Sequence, residues 1–134
     1  MNGPSQLKVR VYYEDTDASG VVYHARYLHW LERGRTEWLR QLGLEQHRLR
    51  EQFGVVFTVA RLEIEYGKPA RLDQELIVNT TVGERRRASL VFAQDIVDAD
   101  GGRLTRASVT VACVDATRFR PARLPDPFVA VISE

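Results

Sequence analysis

From Gly54 almost to the end of the chain, the pattern is that of strands with nothing helical between them. The segments VVFTVARLEIEY, QELIVNTTVGE, ASLVFAQDIVDA and RLTRASVTVACVDA are rich in β-branched residues. They are separated by the turn signals Gly67-Lys68-Pro69, Glu84-Arg85-Arg86 and Asp98-Ala99-Asp100-Gly101-Gly102. Parallel pairing needs crossovers of about a dozen residues or more, and the gaps leave no room for them. The turns therefore predict hairpin connections and a largely antiparallel sheet. Its helices should gather on one face, which makes the fold class α+β.

The helical signal lies upstream. From Tyr23, the positions Tyr27, Trp30, Leu31, Gly34, Trp38 and Leu42 recur at three- and four-residue steps, which predicts a helix of about five turns with one apolar face, stopped at Gly43. Gly34 within that face costs roughly 1 kcal/mol of helix propensity against Ala, a loss that makes sense where the backbone must approach another element closely. Before this helix, QLKVRVYY alternates as a half-buried strand, with Val9, Val11 and Tyr13 on one side. After it, Glu45 to Phe53 reads as a shorter helix, and PARLPDPFVAVISE either closes with a short helix after Pro125 or stays irregular. A sheet curled on one long helix keeps two edges and a partly apolar outer face, so a dimer or larger assembly is expected. Glu32, Arg33, Arg35 and Glu37 read as a polar stripe at an interface or in water, and His29 and His47 have no recognisable partner.

The 134 residues, 44% hydrophobic and 28% charged, fit one soluble globular domain spanning 1–134, with no repeat or linker. A net charge of +1 provides no whole-molecule field that would collect nucleic acid, so an anionic ligand must be held by a local patch. The single Cys113 has no cysteine partner and reads as a small buried hydrophobe. No apolar run approaches the roughly 18 residues that span a bilayer, and MNGPSQLKVR lacks the hydrophobic stretch of a secretory signal. The cytoplasm is the expected compartment.

Chemistry concentrates in YYEDTDASGVVYHARYLHW, where Glu14, Asp15 and Asp17 precede a glycine turn. Acids before a helix commonly cap it, and Glu14 and Asp15 fit that role. Asp17 differs, because Ala18-Ser19-Gly20 can return the chain toward the first helical turn, whose backbone N–H groups are unsatisfied. A carboxylate and an anion-stabilising helix entrance would then share one small volume, an arrangement suited to acyl transfer with N–H groups near His24 holding the oxyanion. A bare carboxylate attacks ordinary esters poorly. A thioester releases a thiolate whose parent thiol has a pKa of about 8.5, so it demands little general-acid help.

Two rival readings fail on the page. Asp15-x-Asp17-x-Ser19-Gly20 matches the first half of an EF-hand calcium loop, but the twelfth position is Arg26 where a bidentate Glu is required. Asp15-x-Asp17 after a strand also suggests an aspartyl-phosphate phosphatase of the haloacid dehalogenase type, which needs an alternating α/β sheet that this chain lacks.

The stretch RVYYEDTDASGVVYHARYLHWLERGRTEWLRQLG resembles the signature region of the 4-hydroxybenzoyl-CoA thioesterase family of hotdog-fold enzymes. In particular it is similar to the bacterial acyl-CoA thioesterases associated with the Tol-Pal envelope system. The resemblance runs through Arg10-Val11, Thr16-Asp17, Gly20-Val21-Val22, Tyr27 and Trp30, and VARLEIEYGKPARLDQELIVNTTV is similar to the family's second segment. It implies a hotdog fold, in which the sheet wraps the long helix. It also implies a homotetramer built as a dimer of dimers, with active sites at the dimer interface.

By position, the resemblance places the catalytic carboxylate on Asp17, as nucleophile or general base, and the carbonyl-polarising backbone N–H on His24. The His24 side chain would at most orient Asp17 or water, and Tyr13 would be a supporting wall, with plain core packing as its bland alternative. The hydroxybenzoyl branch carries an aromatic residue where His24 stands here, whereas the Tol-Pal branch shares Val-Tyr-His, so an aliphatic acyl-CoA is implied. Contacts to coenzyme A phosphates would come from Arg85, Arg86, Arg87, Arg118 and Arg120, although for any one of them a solvated hairpin tip or tail is the stronger reading. No metal or cofactor is implied. A reading from another class is a non-catalytic hotdog protein that binds acyl-CoA or an acyl carrier protein as a scaffold in envelope or lipid metabolism.

Overall fold

The structure is a computed structural model that describes residues 5–132, so the opening MNGP and the last two residues of the tail lie outside it. The strands are β1 (Ser5–Arg10), β2 (Val55–Tyr66), β3 (Glu75–Arg85), β4 (Ser89–Asp98) and β5 (Arg103–Asp115). The helices are α1 (Arg26–Gln41), α2 (Gln46–Phe53) and α3 (Asp126–Ile132). All strand pairings are antiparallel, and the sheet order is β1-β3-β4-β5-β2. The expected α+β architecture is therefore present, and the tail does end in a short helix.

Alternation explains which side of each strand faces α1. Leu76, Val78 and Thr80 of β3, Leu90, Phe92, Gln94 and Ile96 of β4, and Ala107, Val109 and Val111 of β5 are buried on one face. Against them α1 lays Tyr27, Trp30, Leu31, Trp38 and Leu39, with Trp38 edge-on to Phe92 at 5.3 Å between centroids. Gly34 behaves as its cost implied. A Cβ there would stand 2.8 Å from Thr80 Oγ1 and from Val78 Cγ1, so any larger residue would force those side chains to shift. Gly43, at φ +74°, stops the helix as expected, and Gly54, at φ +66°, ends α2.

Three expectations are corrected. Only β3, β4 and β5 form consecutive hairpins; β2 lies outside β5, because β1 occupies the free side of β3 with Val9 opposite Leu76. The segment after Tyr66 is therefore a connection across the sheet end. Gly67 N donates to Leu104 O at 2.7 Å, and Lys68 Nζ lies 2.5 Å from Asp98 Oδ2. Second, α1 starts at Arg26 and not at Tyr23, because the Val22 and Tyr23 amides donate to Ala70 O and Asp15 O and hold that stretch extended.

Third, Arg35 does not belong to a polar stripe. It is buried, its guanidinium donates to Gln94 Oε1 at 3.0 Å, and Gln94 Nε2 donates in turn to Leu31 O and Thr80 Oγ1. Desolvation lowers the Arg35 pKa, with Glu32 opposing that shift. The outer face is partly apolar, as expected: Ile77, Val91, Ala93 and Val97 alternate with the buried residues of β3 and β4. Beside them Gln6, Glu63, Asn79, Thr81, Asp95 and Arg106 line a groove of about 690 Å³. A further feature that invites self-association is β2, a 12-residue edge strand paired on one side only.

Candidate active site

The acidic turn is built by pairing. Thr16 bridges to Val22, Asp17 N donates to Val21 O at 3.0 Å, and Gly20 N donates to Asp17 O at 3.0 Å with Gly20 at φ +84°. This positive φ is what glycine permits at the bend. The turn presents Asp17 to solvent. Its Oδ1 accepts the Ser19 amide at 2.9 Å and also the Ser19 hydroxyl. Those two bonds hold the carboxyl below its usual range, with a smaller contribution from the charge of nearby His24. Asp17 is thus an anion at ordinary pH.

Asp15 does a different job from its neighbour. It is buried, accepts Tyr12 N at 2.8 Å and pairs with Arg26 Nε at 3.1 Å. It therefore ties the short 3-10 turn Tyr13–Asp15 to the first residue of α1, and it does not cap the amides of that helix. Glu14 accepts Arg26 through its backbone carbonyl only, at 3.4 Å.

The entrance of α1 carries no side-chain cap on Ala25. Tyr23 O accepts Arg26 N at 2.9 Å and His24 O accepts the Tyr66 hydroxyl at 2.8 Å, while the N–H groups of His24 and Ala25 have no acceptor among the described residues. Two adjacent amide donors are therefore held ready on the stretch that bridges back to the Asp17 turn. Tyr66 also stands edge-on to Tyr27, at 5.5 Å, and to His24, at 6.5 Å. Tyr27 Oη accepts Ala70 N at 3.0 Å, which fastens the β2–β3 connection behind the site.

The other expected residues are distributed unevenly. Tyr13 is 82% exposed, which excludes core packing: β1 ends at Arg10, and the intervening 3-10 turn breaks the alternation that had aligned Tyr13 with Val9 and Val11. Arg85, Arg86 and Arg87 are exposed at the β3–β4 turn, where Arg86 pairs with Glu84 at 2.6 Å. Arg118 and Arg120 are exposed on the turn after β5, shaped by Asp115 Oδ1 accepting Thr117 N and Arg118 N, each at 2.8 Å. These two groups share one end of the sheet, since Leu124 N donates to Arg87 O at 2.9 Å. That end is opposite to Asp17: Tyr66 pairs with Thr105, and Asp115 lies ten residues further along β5, roughly 33 Å away. Within one chain the arginines and Asp17 do not meet.

Sequence reasoning missed Tyr66 and the Arg35–Gln94–Thr80 network. A tyrosine closing a strand just before Gly67-Lys68-Pro69 was visible, but nothing in the pattern pairs it with His24 O. Among the described residues, no cluster of three or more His, Cys, Asp or Glu side chains is arranged to hold a metal ion.

Comparison with known proteins decides the family. Residues 11–132 match the model of the thioesterase-like superfamily. The chain belongs to that superfamily. It is 48% identical over 122 residues to the acyl-CoA thioester hydrolase YbgC of Escherichia coli, covering 91% of this chain and 90% of that one. It is 49% identical over 117 residues to the acyl-CoA thioesterase YbgC of Haemophilus influenzae, covering 87% and 85%. Among solved structures, a probable thioesterase from Bartonella henselae superposes with a TM-score of 0.86 at 36% identity, covering 91% of this chain and 99% of that one. The hotdog fold and membership of a thioester-hydrolysing enzyme family, both expected from the resemblance, are thereby established. No described helix is long and apolar enough to cross a membrane.

Proposed function

We propose that this thioesterase hydrolyses aliphatic acyl-CoA to the free acid and coenzyme A, with Asp17 as the reacting carboxylate and the amides at His24 and Ala25 as the oxyanion site. One observation carries the reading: a solvent-facing carboxylate bonded by Ser19 lies on the turn that pairs with Val21 and Val22, the segment leading into the uncapped helix entrance. The thioester carbonyl oxygen would lie against the free N–H groups, where developing negative charge gains from the donors and from the helix dipole. Asp17 then acts in one of two ways. As nucleophile it forms an acyl anhydride as the C–S bond breaks and coenzyme A leaves as thiolate, after which water cleaves the anhydride. As general base it takes a proton from water, whose oxygen attacks the carbonyl carbon, and the tetrahedral intermediate then breaks its C–S bond to release coenzyme A as thiolate. A weakly basic carboxylate suits either route only because the thiolate leaves readily.

The opposite placement of Asp17 and the arginines supports a site shared between copies. Antiparallel pairing of two β2 edges about a twofold axis would set the Val55 end of one chain beside the Tyr66 end of the other. Arg118 and Arg120 of one copy would then stand near Asp17 of its partner, suited to the phosphates of coenzyme A, with Arg85, Arg86 and Arg87 near them. Tyr13, so exposed in one chain, would become a wall of the shared pocket. A tetramer as a dimer of such dimers and a cytoplasmic site of action complete the proposal.

The test is thiol release from a panel of acyl-CoAs of increasing length, with wild type and Asp17→Asn, alongside the oligomeric mass. Turnover that vanishes in Asp17→Asn while assembly persists supports the reading. Binding of acyl-CoA or acyl carrier protein without any thiol release would sink it in favour of a scaffold.

A further inference from the structure

We propose that Tyr66 is a positioning residue for the thioester carbonyl site: its hydroxyl, by holding His24 O, fixes the direction and donor strength of the Ala25 amide at the helix entrance. The inference rests on the oxyanion reading above and adds a residue to it. Its basis is the planarity of the peptide unit. Each carbonyl points opposite to the N–H of the following residue, so anchoring the carbonyl anchors the donor. Arg26 N anchors Tyr23 O, and this fixes the His24 N–H from within the helix's own backbone. The Ala25 N–H has no such internal anchor, because its carbonyl partner, His24 O, is held by the Tyr66 hydroxyl at 2.8 Å.

Three features make this anchor more than an incidental surface bond. Tyr66 is the last residue of β2 and is fixed by pairing with Thr105, so the phenol is delivered from the sheet and not from a mobile loop. Its ring, 46% exposed, stands edge-on to Tyr27 and His24, and these neighbours narrow the orientations open to it. A hydrogen bond to a carbonyl also polarises its peptide and strengthens the N–H on the other side, by about 10–30% per bond. The free donor therefore comes preoriented and strengthened at the point where charge would develop on the thioester oxygen.

Tyr66→Phe removes the hydroxyl and keeps the ring. We expect kcat to fall about tenfold with KM within about twofold, the signature of an interaction that matters in the transition state. Two non-hydrolysable ligands read the same effect without turnover. An S-alkyl thioether of coenzyme A has no carbonyl, so its affinity should not change. A ketone analogue with a methylene in place of the sulfur keeps the carbonyl and should bind several-fold more weakly. An unchanged kcat, or equal weakening of both ligands, would overturn the proposal, the latter by showing that the hydroxyl only maintains the general shape of the pocket. Asp17→Asn separates this from the carboxylate assignment. Full activity in that variant together with the ligand split in Tyr66→Phe would reject Asp17 and keep Tyr66.

Discussion

Around Gly34, α1 lies so close to β3 that an added Cβ would stand 2.8 Å from two side-chain atoms, whereas at its entrance the His24 and Ala25 amides have no acceptor among the described residues. The middle of the helix is a closed seam. There the buried Arg35, Gln94, Thr80 and the Leu31 carbonyl hydrogen-bond among themselves, and aromatic rings fill the remaining space. The entrance is open on its outer side: a turn, two pinned carbonyls and an exposed carboxylate stand over the buried Val22 and Tyr27. Burial scales with apolar area and makes the seam costly to disturb, while unsatisfied donors are useful only where a ligand can reach them. On the proposed mechanism one helix would separate stability from chemistry along its length, and variants at its middle and at its entrance should fail in different assays.

The largest expected effect is at the open end. Asp17→Asn should lower kcat by about a thousandfold or more while the melting temperature stays where it was. A parallel loss of thermal stability would break the contrast. Next comes Gln94→Leu at the seam, which strips the buried Arg35 guanidinium of its acceptor. We expect a loss of about 3 kcal/mol in urea unfolding, with turnover per folded molecule retained. Gly34→Ala should cost less, about 0–2 kcal/mol, since overpacking of about 1–3 kcal/mol is offset by the roughly 1 kcal/mol gain in helix propensity. Val78→Ala in the same chain should recover part of that loss, and a Gly34→Ala protein more stable than wild type would show that the close approach is not real.

Smaller effects sharpen the electrostatics. Because Ser19 holds the Asp17 pKa below its ordinary value of about 3.9, the carboxylate persists to lower pH than usual. The reactivity proposed for it is retained above that lowered value and lost as pH falls through it. Ser19→Ala should therefore move the acid limb of the kcat/KM profile upward, and an unmoved limb would separate Asp17 from the rate. Least of all should happen at Cys113. Burial pushes its thiol up to about 11, so iodoacetamide at pH 8 should leave the native protein unlabelled and Cys113→Ala should leave turnover unchanged.

The alternating residues of β2 through β5 and the three- and four-residue steps of α1 were legible because each reflects a local period, and the observed strand ends differ from the expected ones by a residue or so. Even Gly34 announced itself, since a helix interior rarely keeps glycine without a packing reason. The strand order was not legible. Gly67-Lys68-Pro69 has the composition of a hairpin turn, and only the claim of β1 on the free side of β3 forces the chain across the sheet end. Arg35 and Tyr13 were misplaced for a related reason. A charged side chain on a helix and a tyrosine after a strand take their burial from neighbours distant in the chain.

For this protein the sequence by itself determined the fold class, the helix that the sheet surrounds and the carboxylate at Asp17, because these follow from periodicity and from the chemistry of side chains a few positions apart. Tertiary structure alone decided that β2 lies at the edge, that the arginines stand at the opposite end from Asp17, and that Tyr66 holds His24. Each of these joins residues far apart along the chain, and no local pattern encodes which distant partner a strand edge or a free carbonyl will meet.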